Sequence, residues 1–87
     1  MDSTTETRMA IIGIFVERPE AAARLNAILH DHADCIVGRM GIPYRTRNLG
    51  VISLIVDAPE STVSALSGKL GMLDGIRVKT MFAKTEA

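Results

Sequence analysis

The chain predicts an α+β fold: a βαββαβ two-layer sandwich, with a four-stranded antiparallel sheet and two helices on one face. Three observations predict it. A β-branched strand, a turn and an amphipathic helix follow one another over residues 9–32. A helix, a glycine stop and a strand occupy residues 60–82. Between these two units lie two strand-like runs joined by a polar connection, over residues 35–56.

Each element has a local reason. Met1–Arg8 is rich in Ser, Thr and Glu and reads as a flexible N-terminal tail, leaving residues 9–83 as one domain and 84–87 as a C-terminal tail. Met9–Val16 is short, β-branched and bounded by charge, which predicts a strand. Pro19 then stands where helices start, with Glu17 and Glu20 near the positive end of the helix dipole. Ala22, Leu25, Ile28, Leu29 and His32 follow at spacings of three and four, the apolar stripe of an amphipathic helix.

Cys35–Ile42 predicts a second strand loosened by Gly38 and Gly41, Pro43–Asn48 a polar hairpin connection, and Leu49–Val56 a third strand. Asp57–Glu60 has the form of a helix start, with Pro59 near the first helical position and Val63, Leu66 and Leu70 as the buried stripe. Gly71 is expected to stop this helix in the left-handed conformation. Gly75 precedes a last strand, Ile76–Phe82. Gly68, inside the helix, costs about 1 kcal/mol against alanine, and close packing against the other helix or a neighbouring subunit is the expected reason for it.

Composition narrows the function classes. Eighty-seven residues make one domain, and 47% of them are hydrophobic with one tyrosine, two phenylalanines and no tryptophan, so the core is aliphatic. Ten basic and ten acidic side chains cancel, which removes the broad positive field of non-specific nucleic-acid binders. A single cysteine cannot form an internal disulfide, and a cytoplasmic setting is expected. Met1–Arg8 lacks the apolar stretch of a signal peptide, and the longest apolar runs are too short to span a bilayer.

The strands carry a second message, because side chains alternate between sheet faces. Ile12, Ile14 and Val16 share one face with Ile52, Leu54 and Val56; Ile11, Phe15, Val51 and Ile55 share the other. With both helices on one face, the second face would meet water, and such a face should be polar. Its apolar character marks an association surface. A homo-oligomer, dimer or tetramer, is therefore expected, with Ile11, Phe15, Val51 and Ile55 in the interface; the alternative is that flanking tails cover this face.

Few residues point to chemistry. His30, His32 and Cys35 are the soft-metal candidates, but helical residues two apart point in nearly opposite directions, and His32 falls on the apolar stripe. A hydrogen-bonded, partly buried His32 is the expectation, and no metal ligand or cofactor is assigned. Arg39, Arg77 and Lys79 could hold a carboxylate or phosphate, although cations are also what edge strands carry against aggregation. Ser67-Gly-Lys69 sits late in a helix, where backbone N–H groups cannot cradle phosphate, and no Gly-x-Ser-x-Gly elbow is present. No catalytic residue is assigned and no enzyme is expected.

Ala65–Gly71 and Gly75–Thr80, together with Arg39–Pro43, resemble the small ACT-like proteins described as iron-only hydrogenase system regulators, over about Ala10 to Thr80. That resemblance implies a ferredoxin-like ACT fold, an oligomer and a regulatory role in transcription. ACT domains commonly bind amino acids with an Arg-Pro-Gly loop after the first strand; here the loop is Arg18-Pro19-Glu20, and Glu20 would repel a ligand carboxylate. The layout is also similar, distantly, to the C-terminal domain of nickel-responsive repressors. Their strand histidines fall on Gly41 and Pro43 and the third strand has no cysteine, so the nickel site does not carry over. Met1–Arg8 is too short for their DNA-binding domain, and no unaided DNA binding is expected. The reading is thus a non-catalytic regulatory or sensor module that acts as a homo-oligomer through a small-molecule effector or a protein partner. Its alternatives are a purely structural interaction module and a metal sensor using His30, His32 or Cys35.

Overall fold

A computed structural model describes residues 6–84. Strand β1 (Arg8–Val16) leads through a 3-10 turn at Pro19–Ala21 into helix α1 (Ala22–Asp31). A second 3-10 turn, Ala33–Cys35, enters β2 (Ile36–Tyr44), and a third, Arg45–Arg47, joins it to β3 (Leu49–Ala58). Helix α2 (Glu60–Gly71) and β4 (Ile76–Phe82) complete the βαββαβ order. The sheet runs β2-β3-β1-β4 with every neighbouring pair antiparallel, so β1 and β3 are the central pair. The α+β, ferredoxin-like sandwich expected from the alternation is the fold of the chain.

The core forms where the even-numbered residues of β1 and β3 meet the two helices. Ala10, Ile12, Ile14, Leu54, Val56 and Ala58 are buried beneath Leu25 and Leu29 of α1 and Val63, Leu66 and Leu70 of α2. Each fully buried aliphatic side chain contributes about 1.5–3 kcal/mol, which makes this layer the main source of stability. The Ser67 and Thr80 hydroxyls, 2.8 Å apart, add a polar tie between α2 and β4.

Several boundaries differ from expectation, each for a physical reason. Residues 1–5 and 85–87 of the expected tails lie outside the described residues, but Arg8 belongs to β1. Its guanidinium donates to Glu60 Oε1 at 3.1 Å and to the Ala83 carbonyl at 2.9 Å, and stacks 4.6 Å from the centre of the Phe82 ring. Cys35 closes a 3-10 turn instead of starting β2. β2 continues through Pro43 to Tyr44, because an edge strand tolerates a residue with no N–H. The connection then closes at Asn48, whose φ of 54° is a left-handed conformation that asparagine accepts.

The second helix does end at Gly71, but without a left-handed glycine there. The residue with positive φ is Gly75, at 85°, one position before β4. A Cβ at Gly75 would lie 2.6 Å from Arg18 Cβ, so glycine is required both by conformation and by the β1–α1 loop beside it. Gly68 is not closely packed: among the described residues a Cβ there meets nothing within 4 Å. The expected helix–helix approach at Gly68 is absent within the subunit.

Candidate functional site

The face of the sheet opposite the helices is the candidate site, and the strand register lays it out in rows. Across β2, β3, β1 and β4, one row reads Ile42, Val51, Phe15, Arg77; the next Met40, Ser53, Gly13, Lys79; the next Gly38, Ile55, Ile11, Met81. Tyr44 with Leu49, and Asp57 with Met9, lie beyond at the two ends. Ten large hydrophobic side chains are exposed among the described residues. Eight of them lie on this face: Met9, Ile11, Phe15, Met40, Ile42, Tyr44, Ile55 and Met81. The other two, Val37 and Met72, lie at a strand bulge and after α2.

Ile11, Phe15, Val51 and Ile55 are thus gathered as one patch in the middle of the sheet, and the sequence alternation locates all four. It does not single out Met40, Ile42 and Tyr44 of β2, which enlarge the patch to the sheet edge. Their face depends on a bulge between Ile36 and Gly38, where two residues of β2 oppose one of β3. The bulge reverses the alternation: Ile36 pairs with core residue Val56, whereas Gly38 pairs with open-face residue Ile55.

The same reversal separates the three expected anion contacts. Arg77 and Lys79 are neighbours on the open face of β4. Arg39 pairs with Leu54 and so points to the helix side of the opposite edge, where it donates to Asn26 Oδ1 at 3.3 Å. One anion cannot engage all three. Arg77 lies 3.8 Å from Glu17 Oε2, a loose and exposed pair, and Lys79 forms no ion pair among the described residues. A depression of about 830 Å³ has Gly13, Phe15, Val51, Ser53, Arg77 and Lys79 of this face in its lining, together with helix-side residues, Gly71 and Ile76 among them.

The metal candidates are differently engaged. His32 Nδ1 donates to the Ile28 carbonyl at 3.0 Å, the partly buried and hydrogen-bonded state expected for it. The Cys35 thiol donates to the His32 carbonyl at 3.2 Å, while His30 is exposed. Burial, and secondarily the Asp34 carboxylate, push the Cys35 thiol above its ordinary pKa against the opposing effect of a backbone hydrogen bond. That keeps it a neutral thiol, the weaker metal ligand. Among the described residues no three His, Cys, Asp or Glu side chains are grouped to hold a metal ion.

The loop after β1 forms a smaller hollow of about 310 Å³, lined by Arg18, Glu20, Arg24 and Asp74. Arg18 is 3.3 Å from Asp74 Oδ2. Two carboxylates beside two guanidinium groups leave no net positive charge in this hollow. No helix among the described residues is long and apolar enough to cross a membrane.

Residues 8–80 match the model of the TM1266-like family, described as "Iron-only hydrogenase system regulator, putative". The solved structure of TM1266, an uncharacterized protein from Thermotoga maritima, is 40% identical and superposes with a TM-score of 0.87, over 91% of this chain and 100% of that one. A homoserine dehydrogenase from Thiobacillus denitrificans is 21% identical with a TM-score of 0.61, over 94% of this chain but 18% of the enzyme, a likeness of fold alone. No curated protein matches the chain.

Proposed function

The chain belongs to the TM1266-like family of iron-only hydrogenase system regulators, and on that premise we propose that it is a non-catalytic regulatory module working as a homo-oligomer, a dimer or tetramer, assembled through its open sheet face. The observation that carries this reading is the concentration of eight large exposed hydrophobic side chains on that one face. An isolated subunit would leave them all in water, and apolar patches of this kind are rare on monomers. A second copy offers the same surface in two-fold symmetry, so one patch can serve both partners.

Regulation then passes through the assembly, in a cytoplasmic setting, with a small-molecule effector or a protein partner biasing it. With a net charge of zero the chain lacks the broad positive field of non-specific DNA binders, and this reading needs no direct DNA contact. The test is Phe15→Asp, read by sedimentation together with circular dichroism. Phe15 is 47% exposed in the single subunit, so the folded chain accepts a carboxylate there. In a stacked face the same charge would be buried without a partner, at a cost of several kcal/mol. The variant should keep its secondary structure and fall to one subunit; a folded variant of unchanged oligomeric mass contradicts the assembly.

A further inference from the structure

Gly13 lies at the centre of β1, itself a central strand, and nothing among the described residues asks for glycine there. Its φ is not positive, and an added Cβ would meet only the Lys79 carbonyl oxygen, at 3.9 Å. Glycine in a strand interior weakens the strand, and it commonly marks a place where a ligand or another backbone approaches closely. Its register partners are Ser53 on β3 and Lys79 on β4, so the middle row of the open face is low, with an ammonium at one end. Phe15 and Val51 rise on one side of this row, and Ile11 and Ile55 on the other. Rows on one face repeat about every 6.6–6.8 Å along the strands, so the two ridges leave a trough wide enough for a hydrocarbon chain.

We propose that this trough binds a small monocarboxylate with a hydrocarbon body, its chain lying over Gly13 and Ser53 and its carboxylate on Lys79. Charge selects the class. Arg77 has Glu17 at 3.8 Å as its counter-ion, which leaves Lys79 as the one cation beside this row without an ion pair among the described residues and matches a single negative charge. The apolar walls favour a hydrocarbon body over a phosphate, which would place its hydrated oxygens against Phe15 and Val51. The Ser53 hydroxyl provides one neutral hydrogen-bonding group on the floor. The site rests on the stacked-sheet reading above, since a second copy supplies the roof that removes the hydrocarbon from water.

Titration calorimetry of the full chain with hexanoate tests this, with hexan-1-ol and inorganic phosphate as controls and native mass spectrometry on the same samples. Hexanoate should bind saturably, at least tenfold more tightly than either control. Lys79→Gln should weaken it at least tenfold. Gly13→Val should abolish it while the chain stays folded, because the subunit has room for a side chain there. Absence of saturable hexanoate binding, binding of phosphate as tight as that of hexanoate, or undiminished binding by a folded Gly13→Val variant would each overturn the site. If hexanoate fails and the mass is that of an oligomer, the ligand site is wrong and the assembly stands. If a single subunit binds hexanoate with these dependences, the site stands and the stacked roof is wrong.

Discussion

Ile11 and Ile55 are direct partners across the two central strands, and both remain open, at 42% and 39% of their full exposure. One residue along, Ile12 and Leu54 are also partners, and both are fully buried. The middle of this sheet is therefore apolar on both sides but covered on one. The same contrast distinguishes this sheet from an antiparallel sheet built to face water.

Gly75 should not tolerate a side chain. Its φ of 85° and the 2.6 Å approach to Arg18 Cβ act together, so Gly75→Ala should lose about 1–3 kcal/mol of stability in urea unfolding. A loss below about 0.5 kcal/mol would show that the turn before β4 relaxes freely.

Gly68 should behave in the opposite way. Space around it is open and it lies within α2, so Gly68→Ala should stabilise the fold by about 1 kcal/mol with unchanged oligomeric mass. Destabilisation, or a change in mass, would place a second subunit against that turn of the helix.

Arg8 fastens the start of β1 to the start of α2 and the end of β4. Arg8→Ala removes a charge-assisted bond to Glu60, a bond to the Ala83 carbonyl and the stack on Phe82, and should cost about 1–2 kcal/mol. Glu60→Ala removes only the ion pair, whose carboxylate is 59% exposed, and should cost under about 1 kcal/mol. Equal losses in thermal unfolding would mean that the ion pair alone matters.

Cys35 should be slow to alkylate. Its thiol is held above the ordinary pKa first by burial and then by Asp34, so iodoacetamide should react more slowly than with free cysteine around the ordinary thiol pKa. Asp34→Asn should speed the reaction. The folded state holds this proton more tightly than the unfolded chain does. The associated stability is therefore complete below the ordinary thiol pKa and is lost as pH rises through the raised one. A rate equal to that of free cysteine contradicts this environment.

The sequence shows most of the fold because period-two alternation in β1 and β3 and the Val63, Leu66, Leu70 stripe are local patterns that tertiary packing then uses directly. It does not show what depends on long-range register. In sequence Arg39 groups with Arg77 and Lys79, but the bulge between Ile36 and Gly38 turns it to the helix side, and only pairing with β3 reveals the bulge. Arg8 reads as part of a tail because its partners, Glu60, Phe82 and Ala83, lie more than fifty residues away. The sequence points to Gly71 for the left-handed glycine because the helix stops there; the turn that follows postpones the left-handed step to Gly75. The open-face patch is legible at Ile11, Phe15, Val51 and Ile55, while its extension to β2 is concealed by the same bulge.

The central claim, that the open face is covered by another copy of the chain, is tested most directly by native mass spectrometry of the gently purified protein at micromolar concentration. The account predicts a dimer or tetramer of the 9.4 kDa chain. A single chain at that concentration, with its secondary structure intact, would contradict it.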